Sequence, residues 1–118
     1  MKQQSTSPLC GEKLVNAILK SLEGALAEEI TVIDLRKQIG ASDWFIVCQG
    51  DNNVHTRACA DRVFDDLAAM GTKPWQREGV EEGRWILLDY SDVVVHIMLQ
   101  EVREFYQLEK LWSTGEKK

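Results

Sequence analysis

The sequence predicts a single α+β domain, a mixed β-sheet flanked by helices in the order αββαβββα. Three observations carry this reading. Two β-branched apolar runs, Trp85 to Leu88 and Val93 to Leu99, are separated only by Asp89-Tyr90-Ser91-Asp92, the pattern of a tight antiparallel hairpin. Behind the hairpin the apolar spacing becomes helical, through Val102, Phe105, Tyr106, Leu108 and Trp112. Trp44 to Gln49 is apolar on both faces, the mark of a strand covered on both sides and central in its sheet. At 118 residues the chain can bury one core and is too short for two.

Taken in order, residues 1–8 read as a polar tail, 9–113 as the domain and 114–118 as a second tail. Ser7-Pro8 has the chemistry of an N-cap followed by proline at the first helical position. Leu14, Val15, Ile18, Leu22, Ala25 and Leu26 then share one face, predicting an amphipathic helix over about 9–28, weakened modestly by Gly11 and Gly24. Ile30 to Leu35 is a strand, Lys37 to Ala41 a loop, and Trp44 to Gln49 the central strand. Gly50-Asp51-Asn52-Asn53 supplies turn and capping groups for a helix that runs to about Met70 and stops at Gly71. A short strand near Lys73 to Arg77 carries Pro74, which suits an edge. Glu78 to Gly83 reads as a mobile surface loop before the hairpin. Lys110, Lys117 and Lys118 complement the negative end of the last helix.

Composition narrows the class. A hydrophobic fraction of 44% with 28% charged residues is that of a globular protein and argues against disorder. No apolar run approaches the roughly 20 residues a bilayer span needs. The first eight residues lack the apolar core of a secretory signal, so a cytoplasmic or organelle-matrix location is expected. Cys10, Cys48 and Cys59 are odd in number and widely spaced. Cys48, on a predicted strand, and Cys59, on a predicted helix, read as small buried hydrophobes, and the three fit a reducing compartment rather than a redox or metal set. Fourteen Lys and Arg against 19 Asp and Glu give a net charge of -5. That argues against a domain held to nucleic acid mainly by phosphate neutralisation.

The run from Trp85 through Asp89, Asp92 and Val93-Val94-Val95-His96, followed by Arg103-x-Phe105-Tyr106-x-Leu108-Glu109-x-Leu111-Trp112, resembles the signature of the ribosomal silencing factor (Iojap-like) family. The likeness continues upstream in Asp34-Leu35-Arg36, Ser42 to Gly50, Ala60-Asp61-x-Val63, and Pro74 with Glu78-Gly79, and so covers about residues 12–112 in order. Three positions depart from the pattern: Ser91 stands where glycine is usual, Asn52-Asn53-Val54 where Ser-Ser-Arg is common, and Trp44 for a more frequent Tyr or Phe. The resemblance implies a nucleotidyltransferase-like fold without its active site. It further implies a non-enzymatic, cofactor-free factor that binds the large ribosomal subunit through its protein numbered fourteen. There the factor blocks small-subunit joining and represses translation when nutrients are scarce. A large-subunit assembly factor using the same docking site is the alternative; a homodimer is left open. No membrane and no sequence-specific nucleic acid is expected as partner.

The residues themselves bear on each point. Nucleotidyl transfer needs carboxylates converging on Mg²⁺, usually Asp-x-Asp after a Gly-Ser turn. The chain has no Asp-x-Asp, and Gly40-Ala41-Ser42 precedes the wrong strand. Asp89 and Asp92 flank a turn, where acids bond local backbone N–H groups. His55, in the first turn of the second helix, reads as solvent-facing or capping. His96, on a strand face with Val94 and Met98, is either a hydrogen-bonded core residue or a binding residue. Two histidines without a nearby Cys make no zinc site. Arg103 and Glu104 read as a solvated helix face. Trp85 shares a strand face with Leu87 and Asp89, and a face carrying Trp then Asp is not pure core. Trp85 either packs under the preceding loop or stands as an exposed aromatic anchor. The resemblance, which implies that this strand and loop meet the partner, favours the anchor, with Glu78, Gly79, Glu82, Asp89 and His96 around it as partner-binding residues. Trp44, Trp75 and Trp112 read as packing residues.

Overall fold

The computed structural model describes residues 9–37 and 42–107. It contains α1 (Gly11–Gly24), β1 (Glu28–Asp34), β2 (Trp44–Gly50), α2 (Asn53–Ala69), β3 (Gln76–Glu78), β4 (Trp85–Asp89), β5 (Val93–Leu99) and α3 (Gln100–Tyr106), the predicted order. The five strands form one sheet in the order β1-β2-β5-β4-β3. The sheet is mixed because only β2 and β5 run parallel, joined through α2 and the β3–β4 excursion; the other neighbours are antiparallel. β2 is interior as its apolar pattern requires, and β5, buried along nearly its whole length, takes the middle.

Strand alternation assigns the two faces. Ile46 and Cys48 of β2, Ile86 and Leu88 of β4, and Val93, Val95 and Ile97 of β5 meet Leu14, Ile18 and Leu22 of α1 and Val63 and Leu67 of α2 in the main core. Cys48 and Cys59 are buried there as free thiols, and burial pushes them up to about 12 and about 11, so both are inert hydrophobes. A second, smaller cluster on the opposite face joins Ile33, Leu35 and Val47, with Phe45 against it.

Helix ends depart from the sequence reading in instructive ways. α2 stops as expected, in a Schellman motif: Gly71 has φ +84, its N–H bonds the Ala68 carbonyl, and Thr72 N–H bonds Leu67. α1 ends with the same motif, Ala27 N–H to Leu22 and Leu26 N–H to Glu23, but the left-handed position falls on Leu26 at φ +62. Ala25 and Leu26 therefore belong to the turn and not to the helix face, and β1 starts two residues early. Gly24 serves packing instead: a Cβ there would stand 2.7 Å from the Arg62 guanidinium on α2. At its start α1 is capped by Cys10 without a side-chain bond; Ser7 and Pro8 lie outside the described residues. So do both tails, the Gly40 loop, and Leu108 and Trp112.

The hairpin closes through Tyr90-Ser91-Asp92, with Tyr90 N–H bonded to the Val93 carbonyl and Ser91 left-handed at φ +79. Asp89 Oδ1 accepts from Ser91 N–H at 2.8 Å, and Asp92 Oδ2 from Gly11 N–H at 3.1 Å, tying α1 to the turn. Asp89 thus holds local backbone, as its position predicts, whereas Asp92 holds the backbone of a distant helix start. The short strand sits at Gln76–Glu78, slightly later than the sequence places it, at the sheet edge that Pro74 suggests. Glu78 to Gly83 is not a free loop. Thr56, fully buried, donates its hydroxyl to the Gly83 carbonyl at 2.6 Å, and Arg57 donates to the Glu81 carbonyl at 3.0 Å.

Candidate partner-binding face

The face opposite α1 and α2 carries the candidate site. Cross-strand register sets its rows: Gln76, Asp89, Val94 and Phe45 in one; Glu78, Leu87, His96 and Val47 in the next; Trp85, Met98 and Gln49 in the third. Glu78, Asp89, Trp85 and His96, dispersed in sequence, are therefore brought to one face. Glu82 is not. It sits in the turn that Thr56 and Arg57 dock against the start of α2. Gly79 acts through backbone: at φ +74, a Cβ there would overlap the Trp85 carbonyl oxygen, so only glycine lets this turn close onto the start of β4.

Trp85 is half-buried, between the two alternatives its pattern allows. Its indole Nε1–H donates to His96 Nδ1 at 3.0 Å, a diagonal contact from β4 to β5. The outer side of its ring meets Tyr106, with centroids 4.8 Å apart, and Tyr106 meets Phe105 edge-on at 4.9 Å. His96 in turn receives the edge of Phe45 at 4.7 Å. A row of rings thus runs from the buried middle of the sheet to solvent. His96, 5% exposed, is its inner end, and burial lowers its pKa to about 4. Tyr106 at 50% and Phe105 at 79% exposure are its outer end.

The sequence places Phe105 and Tyr106 among the apolar positions of the last helix, and the structure turns both outward. In α3 the buried residues are Val102 and Arg103. Arg103, predicted on a solvated face, is only 8% exposed: its guanidinium donates to the Glu29 carbonyl (2.6 Å), Gln49 Oε1 (3.3 Å) and Thr31 Oγ1 (3.1 Å). Those acceptors are available because β1 bulges between Glu28 and Thr31, with Glu29 at φ +50. Arg103 clamps α3 across the sheet end, which leaves the aromatic pair Phe105 and Tyr106 turned outward. Glu101 and Glu104 are exposed on the same helix. Trp75, read as a packing residue, is also corrected: it is 79% exposed, with its backbone N–H bonded to the Asp89 carbonyl just before the short edge strand. Trp44 is buried in the main core as expected.

His55 holds structure. Its Nδ1 accepts from Asp51 N–H at 3.0 Å, so Nε2 carries the proton and donates to the Ala25 carbonyl, also at 3.0 Å. This stitches α2 to the turn after α1. Among the described residues no group of three or more His, Cys, Asp and Glu side chains could hold a metal ion, and no helix is long and apolar enough to cross a membrane.

The face carries an aromatic ridge flanked by carboxylates on a braced sheet. The profile of the family "Ribosomal silencing factor during starvation" matches residues 8–118. The chain belongs to the ribosomal silencing factor family. It is 36% identical to the ribosomal silencing factor of Bacillus subtilis over 74% of each chain. A crystal structure of a Chromobacterium violaceum protein superposes with a TM-score of 0.86 at 33% identity, covering 89% of this chain and 88% of the other. The mouse protein named for mitochondrial assembly of the large ribosomal subunit is 28% identical over 84% of this chain and 45% of its own length.

Proposed function

We propose that this protein is a cytoplasmic, non-enzymatic factor that docks on the large ribosomal subunit through its protein numbered fourteen. Once docked, it keeps the small subunit from joining, and so lowers translation when nutrients are scarce. The observation that supports this most is the open ridge Trp85–Tyr106–Phe105, backed by a rigid sheet and accompanied by Glu78, Glu101 and Glu104. Exposed aromatics on a fixed support are the anchors that dominate protein interfaces. The surrounding acids, on a chain of net charge -5, are repelled by ribosomal RNA and attracted by a basic ribosomal protein. A standard interface takes about 800 Å² per partner, roughly a ninth of the 7034 Å² this fold exposes. The remainder is bulk in the path of the incoming subunit, and occlusion of that kind needs neither cofactor nor chemistry.

Sedimentation with purified subunits tests the reading. The protein should travel with the large subunit alone and reduce joining in proportion to its occupancy. Trp85→Ala should weaken large-subunit affinity by roughly 30-fold, the loss of an anchor worth about 2 kcal/mol. A folded Trp85→Ala protein that still binds and blocks joining at wild-type concentrations would remove the anchor from this account. A second reading, assistance in large-subunit assembly from the same docking site, draws on the name of the mouse relative. Under it, depletion of the protein should accumulate immature large subunits even in rich medium.

A further inference from the structure

The geometry points to His96 as a positioning residue: a neutral imidazole, protonated on Nε2, whose Nδ1 lone pair fixes the Trp85 ring in the orientation the partner meets. This rests on Trp85 being the docking anchor, and it gives His96 a role other than direct contact. The tautomer follows from donor count. The Trp85 indole nitrogen can only donate, so His96 Nδ1 at 3.0 Å must accept, and the ring proton is on Nε2. Nε2 is buried and has no hydrogen-bond partner, an uncommon condition for a polar atom in a sheet core. The sheet therefore retains an imidazole at the expense of one unsatisfied donor, and the bond to Trp85 is the one interaction an apolar residue of the same size could not make.

What that bond prevents is rotation. Trp85 lies at the start of β4 beside the turn at Gly79, with one face of its ring toward Tyr106 and solvent. Without an acceptor its N–H would turn toward water, and the ridge would lose the registry of its rings. Fixing an anchor before docking reduces the ordering cost of association. A direct contact from His96 to the partner is disfavoured, since its free nitrogen is sealed beneath Trp85 and Phe45.

Two arms test this. In the wild-type protein, nitrogen-15 NMR should show the His96 ring as the Nε2–H tautomer, with a coupling across the hydrogen bond between His96 Nδ1 and the Trp85 indole nitrogen. The indole signal is identified by its absence in Trp85→Phe. A ring protonated on Nδ1, or an indole N–H that exchanges freely with water, overturns the proposal without any variant. In the second arm His96→Asn, whose side-chain oxygen occupies nearly the place of Nδ1, should keep the protected indole signal and bind large subunits within about threefold of wild type. His96→Phe fills the space without an acceptor. It should lose that protection and bind roughly tenfold more weakly, the factor a single neutral hydrogen bond can supply. Equal binding by the Phe and Asn variants overturns the proposal. Should wild type itself fail to bind large subunits, the docking reading fails while the NMR arm still decides the lock.

Discussion

Lowering pH should strip stability from this fold well before its carboxylates titrate, and His96 is the reason. Burial lowers its pKa from the ordinary 6.5 to about 4. Between those values the unfolded chain takes up a proton that the native protein refuses. Since the unfolded state binds more protons in that window, stability is complete above pH 6.5 and falls as pH drops toward 4. At about 1.36 kcal/mol for each pKa unit, the loss is on the order of 1 kcal/mol at pH 5.5 and 2–3 kcal/mol at pH 4.5. That is a large share of the 5–15 kcal/mol typical of a domain. Asp34 and Asp66, both lowered by hydrogen-bonding partners, add their losses only below about pH 3.8. Glu28, raised by its contact with Asp51, acts in the opposite sense near pH 4.5 and cannot produce the decline. Urea unfolding at pH 7.0, 5.5 and 4.5 gives the curve, and His96→Asn, which cannot titrate, isolates the term. The difference between wild type and variant should shrink by the amounts above as pH falls. Parallel pH curves for the two proteins would refute a buried neutral histidine and, with it, the Trp85 lock.

Three further outcomes follow from local geometry. Ser91→Gly relieves a left-handed residue and should raise stability by about 0.5 kcal/mol, strain relief exceeding the added freedom of the unfolded chain, seen as a melting-temperature gain of about 2–4 °C. Thr56→Val removes the hydroxyl that holds Gly83 while keeping its shape. It should cost about 1–3 kcal/mol and speed hydrogen exchange across residues 79–83, with the core amides unchanged by comparison. Trp75→Ser should alter stability by less than about 0.5 kcal/mol in thermal unfolding, as expected for an exposed side chain, whereas a packing tryptophan would cost several times more.

The order of elements was legible because each carries its own period, two for the strands and 3.6 for the helices, and because Gly71 and Pro74 mark boundaries by their backbone chemistry. Trp85 was legible as an ambiguity: a Trp-Leu-Asp face is neither core nor open surface, and the structure leaves it half-buried. What could not be read was set across long sequence distances. Arg103 looks like a surface arginine until β1 bulges and offers it the Glu29 carbonyl, 74 positions away. The outward turn of Phe105 and Tyr106 is a consequence of that clamp, since helical periodicity alone makes any aromatic look like core. Trp75 was misread for a related reason: its exposure depends on β3 being only three residues long. The acidic loop reads as mobile in sequence because the hydroxyl that restrains it comes from a separate helix.

The charge reading also changes once side chains are in place. Asp89 was grouped with the acids that would meet a basic partner, yet one of its oxygens is committed to the Ser91 N–H. Glu82 belongs to the docked turn, away from the face. The exposed acids that could attract a partner are Glu78 at the sheet edge, to which Gln76 Nε2 donates, and Glu101 and Glu104 on α3, the latter accepting from Gln100 Nε2. Exposed marginal charges mainly steer approach and are screened beyond a Debye length of about 8 Å at physiological salt. On that reading holding is left to the rings, and their placement depends on residues set back from the contact: the buried Arg103 directing α3 outward, the buried Thr56 and the left-handed Gly79 fixing the turn before β4, and the buried His96 setting the indole. A substitution in any of these supports should act on docking without touching the partner, so a map of binding-defective positions ought to extend beneath the surface that makes contact.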